Sequence, residues 1–350
     1  MDRERAKAFG EQLLRRYSDA MTVLFIDVGD RTGLLDAAAI GGTVEEIAGR
    51  AGLADRPVRE WLHGMVTAGV VEHDPGTATF HLPAEHAGLL TGETPYNLTP
   101  LARAAAGGLG NAARTADALR DGAGIPAEEL NDEFFEIADR MSRHRFDALL
   151  TDVYLPASGE VYDRLRAHGG RIADVGCGTG HAVNVMAQAL PDTEVVGYDV
   201  HEPALEQARI EGERLGLDNV RFVRADATEV SADGAYDLIT AFDVIHDLPD
   251  PGTALATIQQ ALTDDGVFLL YDVGAPSDLS AQAQLPWAPL MYGFSLSYCI
   301  QNSLAGGGVA LGSMWGRERT EQLLRESGFQ QIAITSPPLD PVNLLYACRP

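Results

Sequence analysis

The chain contains almost no lysine. Lys7 stands alone among 350 residues and arginine carries the remaining positive charge, a bias of composition more than a functional signal. Positive charge of either kind is outnumbered. The net charge is −25, with −5 over residues 1–90, −5 over 91–170 and −15 over 171–350. No segment is basic. Binding to nucleic acid rests on neutralising phosphates with Lys and Arg, so that partner is not expected. Cysteine is also scarce. Cys177, Cys299 and Cys348 are odd in number and far apart. That excludes a disulfide framework and a zinc-ligand spacing, and makes a reducing cytoplasm the expected location. No run approaches the ~20 apolar residues of a membrane span. The start, Met1-Asp-Arg-Glu-Arg5, opens a charged amphipathic segment, not the apolar core of a signal peptide.

What is present suggests more than one domain, since 350 residues exceed what one hydrophobic core comfortably serves. Residues 3–40 carry apolar positions at helical spacing, among them Phe9, Leu13, Tyr17, Met21 and Leu24. Thr43 and Glu46 form a capping-box pattern at the head of a short helix, 44–51. A second helix, 56–68, ends at Gly69. Two strands, 70–73 and 77–82, flank Asp74-Pro75-Gly76. Helix-turn-helix plus hairpin is a winged-helix pattern. Its acidic charge favours a dimerisation and covering module over a DNA reader. Helical segments are expected at 95–118, 131–154 and 161–167. The expected organisation is 1–92 winged helix, 93–168 helical linker and 169–350 α/β domain.

From Arg171 the pattern alternates. Candidate strands 172–175, 194–198, 220–223, 238–241 and 267–271 are separated by helical segments. Alternation of this kind predicts a doubly wound, mainly parallel sheet with helices on both faces. The ligand of such a sheet lies past the carboxyl ends of its strands. There the first strand runs into Gly176-Cys-Gly-Thr-Gly180 and then a helix. Glycine permits positive φ and leaves no Cβ, so backbone can approach a ligand closely. Cys177 reads as a small residue that fits this turn, not as a nucleophile. Asp199 closes the second strand, 19 positions after Gly180, where a carboxylate can accept from both ribose hydroxyls. Asp226 and Ala227 follow the third, in reach of an adenine amine. Asp174 precedes the turn, and an acid there suits an ammonium and a sulfonium better than a diphosphate.

In combination, Asp174-Val-Gly-Cys-Gly-Thr-Gly180, Asp199 and Asp226-Ala227 resemble the class I S-adenosylmethionine-dependent methyltransferases. The resemblance covers roughly the second half of the chain. It implies that Gly176, Gly178 and Gly180 line the methionine part of S-adenosylmethionine, that Asp199 holds the ribose, and that Asp226 and Ala227 contact adenine. Phe242 joins this set. With a winged helix in front, the chain is similar to methyltransferases of natural-product pathways, many of them homodimers. That implies transfer of a methyl group to O, N or C of a small-molecule acceptor. A winged-helix regulator that senses the same ligand without catalysis is the competing expectation.

The stretch Phe242-Asp-Val-Ile-His-Asp247 follows the fourth strand, beside the expected methyl group. His246 is the candidate base, with Asp247 to orient it or to pair with the substrate. The pair also resembles a subgroup that methylates the β-carbon of α-keto acids. There His and Asp, with a second His after the fifth strand, bind a metal. This sequence has Tyr298 at that place, and a phenol replaces imidazole poorly for most divalent metals. The expectation is therefore a lost or weak metal site, with His246 acting as base or hydrogen-bond partner. The insertion 282–312 is the expected substrate cover, with Trp287, Met291, Tyr292 and Tyr298 as lining residues.

Overall fold

The computed structural model of the chain describes residues 1–350 except 127, 128, 130–133, 231–235 and 339, and leaves the side chains of Phe134 and Phe135 aside. It divides into two compact units, Met1–Leu109 and Gly110–Pro350.

The first unit opens with α1 (Arg3–Thr32), capped by Asp2, whose side chain accepts from Glu4 N and Arg5 N. The single apolar face expected over 3–40 is broken at Gly33. That residue takes φ +71° and starts α2 (Leu34–Ile40). Then follow α3 (Val44–Ala51), with its Thr43–Glu46 capping box, and α4 (Asp55–Thr67). The hairpin β1 (Glu72–Asp74) and β2 (Thr79–His81) pairs Glu72 with His81. Leu35, Ile47, Leu62, Met65 and Leu82 are buried together beneath these elements. Trp61 extends this core and donates its indole N–H to Phe25 O at 2.8 Å. This is a winged helix. Of the cations on α4, Arg56 pairs with Glu60 at 2.5 Å and Arg59 with Glu45 at 3.2 Å. Helices α5 (Ala84–Leu90) and α6 (Thr99–Gly110) complete the unit.

In the second unit the helical segment expected to run unbroken over 95–118 is two helices. α7 (Ala112–Asp121) starts afresh after Asn111, because the Gly107-Gly-Leu-Gly110 end of α6 cannot propagate a turn firmly. α8 (Phe134–Leu149) leads through a π turn, Leu150–Tyr154, to α9 (Glu160–His168). The start of the long helix expected at Asn131 lies outside the described residues.

The sheet contains β3 (Gly170–Val175), β4 (Thr193–Asp199), β5 (Val220–Arg224), β6 (Tyr236–Phe242), β7 (Leu262–Val273), β8 (Gln331–Thr335) and β9 (Asn343–Arg349), in the order 5-4-3-6-7-9-8. Strands β3 to β7 pair in parallel and β9 runs antiparallel to both neighbours. Parallel strands need cover on both faces. α10 (His181–Ala189) and α11 (Glu202–Leu215) help to supply it, with α12 (Pro251–Ala261) and α16 (Arg317–Glu326). Strand order reverses between β3 and β6, so a crevice forms past their carboxyl ends. The insertion after β7 folds as α13 (Leu279–Gln282), α14 (Ala288–Phe294), a π turn over Ser295–Cys299, and α15 (Ile300–Ala305).

Candidate active site

The turn after β3 is fixed by the neighbouring strand. Gly176 N and Cys177 N both donate to Tyr198 O, at 2.8 and 3.0 Å. All three glycines have positive φ, +70°, +53° and +72°. Their reasons for lacking a side chain differ. A Cβ on Gly176 would stand 2.3 Å from Val244 Cγ2, and one on Gly180 2.4 Å from Ala208 Cβ. A Cβ on Gly178 would meet nothing within 4 Å. Gly176 and Gly180 are therefore glycine for packing, and Gly178 alone stands over open space.

Three carboxylates lie at or just past the carboxyl ends of β3, β4 and β5. Asp199 accepts from Gly178 N and from His201 N, each at 2.8 Å, one bond per oxygen. Each oxygen keeps a second lone pair for a ligand hydroxyl. Asp226 caps a short 3-10 turn, Ala227–Glu229, and Thr228 N and Oγ1 both bond its Oδ1. Ala227 is buried at the head of that turn. Asp174 is buried at 2% exposure and accepts from Thr240 Oγ1 at 2.6 Å. Its neighbour in the sheet register is that same Thr240. Burial pushes the Asp174 carboxyl up to about 7, against the Thr240 bond and with help from the Asp199 charge.

Helix α8 reaches this turn through a charged network that the sequence did not disclose. Thr179 donates its hydroxyl to Asp139, which also receives Arg143 Nε at 2.9 Å. Arg143 pairs onward with Glu211 at 2.7 Å, and His181 lies between Glu211 and Asp147. Burial works to raise Glu211, but His181 and Arg143 outweigh it and hold the carboxyl down at about 2.

The second centre follows β6. Phe242 ends that strand beside Tyr271 of β7 and packs on Phe146 at 5.0 Å. Asp243 then takes φ +56°, uncommon for a residue with a side chain, and pairs with Arg145 at 3.2 Å. Arg145 lies over the Tyr271 ring at 4.5 Å. This bend places His246, on the 3-10 turn Ile245–Asp247, against β7. The His246 Nδ1–Asp272 Oδ1 distance is 2.7 Å, with both residues buried. His246 Nε2 lies 3.4 Å from Asp247 Oδ1. The orienting carboxylate is thus Asp272, and Asp247 stands at the other ring nitrogen. Burial opposes protonation of His246, but Asp272 and Asp247 overcome it and raise its pKa well above the ordinary value.

The insertion residues separate. Trp287 and Met291 pack against a buried cluster of Val273, Ala275, Ala288 and Met314. Tyr292 is exposed and donates to Gln282. Tyr298 packs against Ala118 and Ile125. The residue beside His246 and Asp247 is the next one, Cys299. A carboxylate in the otherwise apolar run Val267–Val273 was the one sequence signal that pointed to Asp272.

Residues 167–310 match a family model described as a methyltransferase domain, and residues 20–92 one described as an Rv2258c-like winged HTH domain. The tRNA (guanine-N(7)-)-methyltransferase of Methylococcus capsulatus is 40% identical over 82 residues, which are 22% of this chain and 33% of that one. The chain spans between a quarter and a half of the length of such curated relatives. Solved structures match over nearly the whole chain. The mitomycin 7-O-methyltransferase MmcR covers 100% of both chains at TM-score 0.65 and 20% identity. Human N-acetylserotonin methyltransferase, solved with S-adenosylmethionine, covers 97% of both at TM-score 0.65 and 18% identity. The second unit thus carries a methyltransferase domain with the Rossmann-like fold, behind an N-terminal winged helix.

Proposed function

We propose that the chain is an S-adenosylmethionine-dependent methyltransferase that acts on a small organic acceptor at O, N or C, as a cytoplasmic homodimer. One observation carries the reading. Gly178 leaves open space at the head of the crevice while its own N–H fixes Asp199, whose oxygens keep free lone pairs. That cradle suits a ribose and an amino-acid tail, and Asp174 beside it suits an ammonium.

S-adenosylmethionine, when bound, supplies an electrophilic methyl group on a sulfonium. The chain need only align and shield. Asp199 and Asp226 would hold the nucleoside end. Asp272 fixes the His246 ring, so the acceptor is met on the Nε2 side, with Asp247 beside it. Trp287, Met291, Tyr292 and Tyr298 are carried as cover residues, with Tyr298 packed against Ala118 and Ile125. Water exclusion by such a cover favours in-line transfer.

Calorimetry with S-adenosylhomocysteine tests the reading. Loss of the Asp199 carboxylate removes charged hydrogen bonds worth roughly 1.5–3 kcal/mol each. Asp199→Ala should then bind ten- to a hundredfold more weakly. No binding by the wild-type chain, or equal binding by the variant, removes the cofactor assignment.

The homodimer rests on α1. Leu14, Tyr17, Met21, Leu24 and Val28 recur at the 3-4-3-4 spacing of a coiled-coil seam and are 37–68% exposed in the single chain.

A further inference from the structure

We propose that His246 Nε2, a carboxylate oxygen of Asp247 and Cys299 Sγ form a binding site for a divalent cation of the zinc type. The three donor atoms lie within 4.8 Å of one another. Two light donors each ~2.0 Å from a tetrahedral ion stand roughly 3.3 Å apart. The observed Nε2–Oδ1 distance of 3.4 Å meets that spacing without movement. Asp247 Oδ1 is buried and accepts no hydrogen bond, a costly state for a carboxylate oxygen that a cation would relieve. Asp272 holds the opposite ring nitrogen at 2.7 Å, so Nε2, which faces Asp247, is the nitrogen an ion would take in exchange for its proton. A carboxylate behind a histidine is the usual outer support of a metal-binding imidazole.

The scaffold is tied to itself around these donors. Gly312 N donates to His246 O at 3.2 Å, Ser303 Oγ to Leu248 O at 3.1 Å, and Val309 N to Pro249 O at 3.1 Å. The insertion that carries Cys299 is thereby fastened to the turn that carries His246 and Asp247. Nitrogen, oxygen and sulfur donors together select a borderline ion such as Zn²⁺ over Mg²⁺ or Ca²⁺. Three protein ligands leave a fourth position, as catalytic zinc sites do. Binding exchanges the thiol proton of Cys299 and the Nε2 proton of His246 for the ion, and both protons leave to solvent. Given the methyl-transfer reading, on which this last step rests, the fourth position would be open to an oxygen of the acceptor. The acceptor class would then be one with an ionisable oxygen, such as an enol or a phenol.

The test uses the full-length chain, stripped with a chelator and titrated with Co²⁺. We expect one equivalent bound, with a thiolate-to-cobalt charge-transfer band in the near ultraviolet. Asp272→Asn should weaken Co²⁺ binding ~10- to 100-fold while keeping the band. Cys299→Ser should lose the band. Less than a stoichiometric ion in the wild type overturns the site, as does a cobalt spectrum with no thiolate band; neither needs a variant to fold. Asp199→Ala should bind Co²⁺ like the wild type. Cobalt binding without S-adenosylhomocysteine binding would remove the cofactor reading and leave the ion site standing.

Discussion

At the scale of single residues, the glycine turn and Asp174 make separable predictions. Gly178→Ala adds a Cβ to open space, so it costs only backbone strain of ~1–2 kcal/mol and should fold. It should nevertheless lose S-adenosylhomocysteine affinity, because the Cβ fills the cradle. Gly176→Ala drives a Cβ to 2.3 Å from Val244 and should lose stability first. Thermal unfolding beside calorimetry tells the two apart, and equal profiles would refute the distinction. Asp174 titrates near 7 in the fold against about 4 when unfolded. Its contribution to stability is therefore present below about pH 4 and lost as pH rises through 7. A bound ammonium nearby favours the ionised form, so ligand binding should release a proton and tighten from pH 6 to 8. Asp174→Asn should flatten that slope; calorimetry in buffers of different ionisation heat reads the proton directly. The carboxylates Asp174, Asp199 and Asp226 were legible because each stands at or just past the carboxyl end of a strand. Asp272 was not assigned, because its partner His246 is 26 positions away and meets it only through the β6–β7 pairing.

At the scale of elements, the strands were legible because a parallel sheet buried on both faces leaves short apolar runs. The insertion was not. Tyr298 was placed by the resemblance alone, and in the π turn Ser295–Cys299 it is the next residue, Cys299, that stands beside His246 and Asp247. The strap between α8, α10 and α11 was also hidden, since its charges are scattered from Asp139 to Glu211. Its pH dependence follows from its two titrating members. Glu211 is depressed to about 2, so its contribution exists above about pH 4.5 and fades as pH falls toward 2. Burial works to lower His181, but Glu211 and Asp147 together outweigh it and raise the pKa, so its contribution exists below about 6.5 and fades as pH climbs through the raised value. The strap is firmest between these limits. Glu211→Gln should cost about 1 kcal/mol near pH 6, allowing for solvent screening, and nothing near pH 2. Denaturant titrations across that range measure it; a constant difference at every pH would show that packing, not charge, carries the effect.

At the scale of the whole molecule, sheet order and strand directions came from the structure, whereas alternation had announced only a mainly parallel sheet. Both arginines of α4 are paired with glutamates, and residues 1–90 carry a net charge of −5. The first unit exposes an apolar seam along α1. A 30-residue helix is ~45 Å long, enough for two or more heptads against a second copy. Burying a leucine at such a seam contributes ~1.5–3 kcal/mol. Leu24→Glu removes that contribution from both helices and sets two carboxylates against each other. We therefore expect the wild-type chain to sediment as a dimer at micromolar concentration and Leu24→Glu as a monomer, while Asp36→Asn, on α2 and off the seam, leaves the dimer intact. The charge change also separates mechanisms. If like-charge repulsion adds to lost burial, salt should partly restore the Leu24→Glu dimer, because screening acts on the carboxylates alone. A monomeric wild type, or a dimer indifferent to Leu24→Glu, would move the contact elsewhere on the molecule.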